Sequence, residues 1–237
     1  MRRPFVQIIV VVVSILIVAG IVYAGGARES GDLRDLPSFS TVHLSIPGRV
    51  ELRQGGQISV HVSGSVSAIG AVDISVRDDV LYIEGRRWNL GRALDGLVFT
   101  VSAPVIDELF TSSSGDIHAS RLDTAGLWLR SSSSGEIVID RLTGDDLRVT
   151  MSSSGHITTS GAVRSLDLRI SSSGDFRGRN LQTDDAVISL SSSGNAHVRV
   201  TGAMTGRISS SGNIVYYGNP DSIQVTSSSS GNLRPGE

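Results

Sequence analysis

The residues of this sequence that could do chemistry are its serines and histidines. The phrase Ser-Ser-Ser-Gly occurs seven times, and the chain has five histidines. A serine beside a histidine is the nucleophile and base of many hydrolases, but such a site needs one distinctive serine with its own base and oxyanion donors. Here all copies of the phrase are alike, and the G-x-S-x-G elbow does not occur. We therefore predict that the serines are structural, that there is no catalytic residue and that the protein is not an enzyme.

The histidines and paired aspartates could in principle bind metal ions. His118, His156 and His197 follow a glycine of the phrase by three, one and three residues, so they do not recur in every copy. The pairs Asp145–Asp146 and Asp184–Asp185 lack the glycine-rich nonapeptide of calcium-binding solenoids. We interpret the histidines as surface or strand residues and the aspartates as solvated turns, and we expect neither a metal nor a cofactor.

The spacing of the phrase defines the architecture. Successive glycines lie 20, 20, 19, 20, 18 and 19 residues apart. A fixed period near this length is typical of a solenoid, in which each repeat forms one coil and stacks on the last. We predict an all-β, single-domain parallel β-helix with coils of about 20 residues. The tight turns of the coils fall at Gly115, Gly135, Gly155, Gly174, Gly194, Gly212 and Gly231.

Alternation of apolar and polar residues assigns the serines of each triplet to two sides of the coil. Successive side chains of a strand point to opposite faces, and the apolar residues before and after each corner share one parity. The middle serine has this inward parity, which predicts an inner ladder of Ser113, Ser133, Ser153, Ser172, Ser192, Ser210 and Ser229. The first and third serines then face solvent. The third serines form the candidate binding surface: Ser114, Ser134, Ser154, Ser173, Ser193, Ser211 and Ser230.

The remainder of the domain also has the pattern of β structure. Residues 37–106 contain short alternating runs broken by turn residues and are predicted to form irregular N-terminal coils, followed by the seven repeats over 107–237. Each repeat has a second, looser turn, where Leu122, Leu142 and Leu181 are expected to fill the interior. A coil of this length has room for two main β-faces.

The N-terminus has the features of an export signal. Arg2 and Arg3 precede 19 uncharged residues, Phe5–Tyr23, which could span a bilayer as a helix. Residues 1–24 are predicted to form a hydrophobic helix that is either a cleaved signal peptide or a transmembrane anchor, and the length of the apolar run favours the anchor. A polar linker over 25–36 joins it to the domain. The net charge of −2 gives no reason to expect nucleic-acid binding, and the chain has no cysteine.

Two further features of the sequence bear on function. The basic stretch Arg86–Arg92, which contains Trp88, could dock a membrane or an anionic glycan, but a plain exposed loop is favoured. A polysaccharide-cleaving β-helix is a remote alternative, because the outward serines leave the predicted surface uncharged.

An ordered set of motifs precedes the repeated Ser-Gly corners: Phe39, Val42, Pro47, Gly48, Val50, the run Val76–Ile83 and Ala103-Pro104. This order of motifs resembles the bacterial putative autotransporter adhesin, head GIN domain family. The likeness runs from about Leu36 to the C-terminus and ends in the repeated Ser-Gly corners. It implies a pectin-lyase-like parallel β-helix with Gly-Ser-rich turns between two sheets, and a role in cell adhesion. One departure is the invariant serine triplet, which is more uniform than a looser Ser/Gly corner.

Together these features predict an exported, non-enzymatic solenoid of the bacterial cell envelope, in the periplasm or at the cell surface, that acts as an adhesin or binding surface. The alternative is a structural, assembling or envelope-sensing scaffold tethered to the inner membrane. Expected partners are a glycan or another cell-surface molecule, the membrane itself if the N-terminal segment is uncleaved, and further copies of the chain.

Overall fold

The structure is a computed structural model that describes residues 28–33, 36–86, 94–228 and 230–237. The apolar helix predicted within residues 1–24, most of the Arg86–Arg92 loop and Ser229 lie outside the described residues. Within these ranges, no helix has the length and apolar character needed to cross a bilayer.

The regular secondary structure of the described residues is almost entirely β-strand, which confirms the predicted fold class. These residues form eighteen strands, which are hydrogen-bonded into a single sheet system, and one short helix. The strands are β1 Arg28–Leu33, β2 Thr41–Leu44, β3 Arg49–Gln54, β4 Ser59–Ser65, β5 Val72–Arg77, β6 Val80–Gly85, β7 Val98–Ala103, β8 Glu108–Thr111, β9 Asp116–Ala119, β10 Leu122–Ser131, β11 Glu136–Met151, β12 His156–Ile170, β13 Asp175–Leu190, β14 Asn195–Val200, β15 Ala203–Ile208, β16 Asn213–Tyr217, β17 Ser222–Ser227 and β18 Asn232–Pro235, and the helix is α1 Val66–Ile69.

Each repeat forms one coil of a parallel solenoid, as the spacing of the glycines predicts. Leu127 of β10 pairs in parallel with Leu147 of β11, which pairs with Leu166 of β12 and then Ala186 of β13. The chain leaves this first sheet at the Ser-Ser-Ser-Gly corner and enters a second sheet. β11, β12 and β13 each begin in the second sheet, continue through the looser turn and end in the first sheet. The pairing of these strands shifts register at the looser turn.

The core is the space between the two sheets. Inward residues alternate along each strand because the side-chain period of a strand is two. The residue two positions after each corner glycine illustrates this, since Ile137, Ile157 and Phe176 are all fully buried. At the opposite edge, the leucines expected to fill the interior are buried: Leu122, Leu142 and Leu181.

The stack begins with coils that are out of sequence order. The coil of β2 and β3 lies between the later coil of β6 and β7 and the coil of β8 and β9. Beyond β6 and β7, β5 and β4 add antiparallel strands, and β1 pairs with β4. Antiparallel strands and the short helix α1, with Ile69 buried, thereby cover an edge that would otherwise expose unpaired backbone groups.

Candidate functional site

The Ser-Ser-Ser-Gly corners stack through main-chain hydrogen bonds on both sides of each turn. In the third repeat, the Ser152 amide donates to the Ser131 carbonyl at 2.9 Å, and the His156 amide donates to the Gly135 carbonyl at 3.4 Å. Equivalent bonds recur along the stack, for example from Ser171 to Met151 at 2.9 Å. Each corner is therefore held directly above the previous one.

Close approach between stacked corners explains the repeated glycine. A Cβ atom at Gly155 would lie 2.5 Å from the Gly135 carbonyl oxygen and 2.6 Å from that of Ser133. Glycine could also have served here by adopting a positive φ, but in the described chain the glycines with positive φ are elsewhere, at Gly48, Gly96, Gly161 and Gly218. The corner glycine is thus required by space, because the backbone of the preceding coil occupies the position of a side chain.

The three serines of a corner differ in exposure. The middle serines are partly buried at Ser113, Ser133, Ser153, Ser172, Ser192 and Ser210, and the remaining member, Ser229, is outside the described residues. The third serines are exposed in every copy: Ser114, Ser134, Ser154, Ser173, Ser193, Ser211 and Ser230. Among the first serines, the hydroxyls of Ser171 and Ser209 donate to main-chain carbonyls of the preceding coil at 3.4 and 3.3 Å. The outer edge of the corner is therefore a continuous row of solvent-exposed hydroxyls.

His118 is the histidine with the strongest charged partners. Its Nδ1 lies 2.9 Å from a carboxylate oxygen of Glu51, and its Nε2 lies 2.9 Å from one of Asp140. Hydrogen bonds to these carboxylates, with Glu51 the larger contributor, raise the pKa of His118 above its usual value. Among the described residues, no cluster of histidine and acidic side chains has the arrangement of a metal site. His118 is best explained as a link between neighbouring coils.

This link predicts a dependence of stability on pH. The pKa of His118 is raised in the folded state, so its stabilising effect is complete below about pH 6.5 and is lost as the pH rises through the higher folded value. We expect the difference in denaturation midpoint between the wild type and His118→Gln to be larger at pH 6 than at pH 8. Because the partners are partly exposed, the difference in stability should stay below about 1 kcal/mol. An equal difference at both pH values would contradict the link.

The paired aspartates of the looser turn make bonds to the following coil. Asp145 accepts from Arg164 at 2.7 Å, and Asp146 accepts from the Ser165 hydroxyl at 2.6 Å. Further along the stack, a carboxylate oxygen of Asp185 on β13 accepts a hydrogen bond from the Ala203 amide of β15 at 2.8 Å. The hydrogen bond from Arg164 lowers the pKa of Asp145. These carboxylates therefore fasten adjacent coils together.

A second exposed surface was not identified from the sequence. It lies on the outer side of the sheet that precedes the corners, and we call it the aromatic–arginine face. Its strands are β6, β2, β8, β10 and β11, which are neighbours in that order. Its residues are Tyr82, His43, Phe110, Trp128, Arg130 and Arg148.

The side chains of this face contact one another closely. The rings of His43 and Phe110 are stacked, with centroids 4.3 Å apart. The guanidinium of Arg130 lies 4.4 Å from the ring centroid of Phe110 and 4.7 Å from that of Trp128. Burial lowers the pKa of His43, so its ring is neutral at pH 7. The signal that could have revealed this face is aromatic residues at outward parity on strands that become neighbours.

The chain is similar in sequence to one known family and in structure to several solved proteins. Residues 38–220 match the family described as "Putative auto-transporter adhesin, head GIN domain". No curated protein matches the sequence.

The solved structures share the solenoid fold. A "putative adhesin" from Bacteroides fragilis NCTC 9343 superimposes with a TM-score of 0.84 at 19% identity, over 89% of this chain and 98% of the other. A "putative lipid binding protein" from Parabacteroides distasonis ATCC 8503 gives a TM-score of 0.73 at 18% identity, over 90% and 98% of the two chains. A "putative adhesin" from the same organism gives 0.65 at 18% identity, over 89% and 98%. Because the sequence identities are this low, the structural similarity shows a common fold alone.

Proposed function

Because this chain belongs to the family of "putative auto-transporter adhesins" with a head GIN domain, we propose that it is an exported, non-catalytic adhesin of the bacterial cell envelope. The family supports a binding role and an exported location. The observation that carries the proposal is the row of exposed third serines, which occurs at the same place in each of the seven repeats. Main-chain bonds between corners hold these hydroxyls in a fixed, regularly spaced array.

The ionisation of the acidic side chain with a shifted pKa supports binding over catalysis. A site that hydrolyses glycosidic bonds needs a carboxylic acid whose pKa is raised so that it can donate a proton. Instead, the hydrogen bond from Arg164 lowers the pKa of Asp145. Such pairing favours the ionised carboxylate, which suits a structural link better than a general acid.

Bulky substitutions along the serine row test the adhesive role. We expect the triple variant Ser134→Tyr, Ser154→Tyr, Ser173→Tyr, displayed as the full chain on cells, to lose most of its adhesion to a target cell layer. The exposed third serines have room for larger side chains, so the fold should survive while the contact surface is blocked. The measurement is the number of adherent cells at equal surface expression.

The opposite edge of the same three coils provides a matched control. Thr143, Ala162 and Gln182 are exposed and lie in register on β11, β12 and β13. Changing these three residues to tyrosine should leave adhesion unchanged. Equal adhesion by the serine variant and the wild type would show that the corner is not the contact surface.

A further inference from the structure

Exposed aromatic side chains are concentrated on the aromatic–arginine face. Aromatic residues make up only 5% of the chain, yet Tyr82, Phe110 and Trp128 lie on neighbouring strands of one outer surface. All three are partly exposed, although the apolar interior could have accepted such residues, as it accepts Phe99 and Phe176. Clustered aromatic residues with arginine are typical of the parts of a surface that dominate binding energy.

The arginines of this face keep hydrogen-bonding capacity for a ligand. The guanidinium of Arg130 packs on two aromatic rings and forms an ion pair with Glu108 through one nitrogen. The Arg130 side chain is 38% exposed. Arg148 is 59% exposed and lies 3.9 Å from Asp167, which Arg169 already contacts at 3.0 Å. Around this face four guanidinium groups outnumber three carboxylates in a protein whose overall charge is −2. The arginines are Arg77, Arg130, Arg148 and Arg169, and the carboxylates are Glu84, Glu108 and Asp167. The excess positive charge suits a ligand with carboxylates, which arginine binds in a planar, bidentate manner.

Polar groups beside the aromatic rings repeat with the coils. The first serines of the corners have the same outward parity as the residues of this face, and each comes directly after the end of a strand: Ser112 after β8, Ser132 after β10 and Ser152 after β11. Ser112 is bonded to His43 at 2.9 Å, and Ser132 and Ser152 continue the row. Neighbouring strands are about 4.8 Å apart, so hydroxyls and arginines recur at short, regular intervals. A regular surface of this kind fits a ligand with repeating, hydroxyl-rich units better than it fits the irregular surface of a folded protein.

We propose that the aromatic–arginine face binds an acidic polysaccharide. The aromatic rings contact the C–H faces of sugar rings, the arginines pair with uronate carboxylates, and the first serines bond to sugar hydroxyls. This inference rests on the proposed role as a binding protein and adds to it a second contact surface, distinct from the row of third serines, together with its ligand class.

Titration calorimetry on the full chain tests the ligand class. The probes are an oligogalacturonate and a neutral cello-oligosaccharide of the same length. We expect the wild type to bind the oligogalacturonate more tightly, and we expect added salt to weaken that binding because the pairs are exposed. Trp128→Ala and Arg148→Gln should each weaken binding about tenfold, the usual effect of removing a major contact residue.

Two control variants match the chemistry of the test variants. Tyr217→Ala removes an aromatic ring that lies 4.7 Å from the Arg179 guanidinium on the other sheet. Arg164→Gln removes an exposed arginine at the looser turn. Both should bind like the wild type, and Arg148→Gln should keep the wild-type denaturation midpoint, which separates loss of binding from loss of fold.

Three results would overturn the inference. These are equal binding of the neutral oligomer, wild-type affinity in both test variants, and no binding of either oligomer. If the wild-type chain binds neither oligomer but Trp128→Ala abolishes adhesion to cells treated with glycosidases, the face contacts a protein. In that case the polysaccharide is rejected while the proposed adhesive function stands.

Discussion

Replacing Gly155 by alanine is expected to destabilise the solenoid by about 3 kcal/mol, at the upper end of the usual cost of overpacking. The new Cβ would meet two carbonyl oxygens of the preceding corner at 2.5 and 2.6 Å and the Ser131 hydroxyl oxygen at 2.7 Å. Two of these atoms belong to the backbone, so the strain cannot be relieved by a rotamer change. The corner must move away from its neighbour, which weakens the bonds from Ser152 and His156 to the preceding coil.

Amide hydrogen exchange and the denaturation midpoint measure this effect. Exchange should accelerate first at Ser152 and His156, because their amides bond to the preceding coil. Gly126→Ala is the matched control, since a Cβ there has no atom within 4 Å. Alanine at that position should be neutral or slightly stabilising because it lowers the entropy of the unfolded chain. If Gly155→Ala were as stable as Gly126→Ala, close approach would not explain the repeated glycine.

The regular part of the fold could be predicted from the sequence because its determinants are local and repeated. The glycine spacing determines the coil length, and the parity of residues such as Ile157 and Leu168 determines which side chains enter the core. Because each coil contacts only its neighbours, a correct account of one repeat holds for the whole stack. Leu142 is predicted to enter the interior because it is the lone apolar residue of the looser turn, and it is buried.

The N-terminal coils could not be predicted in the same way. Alternation in β2, β6 and β8 shows which residues are buried, but it does not show which strand pairs with which. β2 begins at Thr41 and pairs with both β6 and β8, although these strands begin 39 and 67 residues later, at Val80 and Glu108. Such pairing depends on how the chain closes its first coils around the antiparallel strands β4 and β5. That is a long-range property, for which period and parity carry no information.

The candidate site was predicted only in part, for a related reason. The exposed hydroxyl row follows from the parity of single repeats, so its members could be assigned residue by residue. The aromatic–arginine face combines Tyr82, Phe110 and Trp128, and their strands are brought side by side by the N-terminal pairing. Without that pairing, each aromatic residue is an isolated deviation in an alternating strand, and its grouping with the others is hidden.

Replacing Phe176 by alanine is expected to cost about 4 kcal/mol, within the range for deleting a buried phenylalanine side chain. Phe176 is fully buried and stacks between Ile157 of the preceding coil and Ala196 of the next. The ring also occupies the space beside Gly178, where a Cβ would lie 2.5 Å from it. Because Ala196 and Gly178 are both small, they cannot fill the cavity that alanine would leave at position 176.

Graded substitutions separate this cavity effect from a general sensitivity of the coil. Phe176→Leu should lose less stability than Phe176→Ala, because leucine fills part of the space and the cost increases with the volume of the cavity. Val187→Ala is the control on the same strand, since Val187 is 53% exposed and its truncation opens no cavity.

The stability of these variants is measured by urea denaturation. Both the slope and the midpoint of the transition are recorded, since coils of a solenoid can unfold separately. A loss at Val187 as large as the loss at Phe176 would show that the strand itself is fragile. The expected order, with Phe176→Ala most destabilised, would identify Phe176 as the residue that fills the interior where its neighbours are too small.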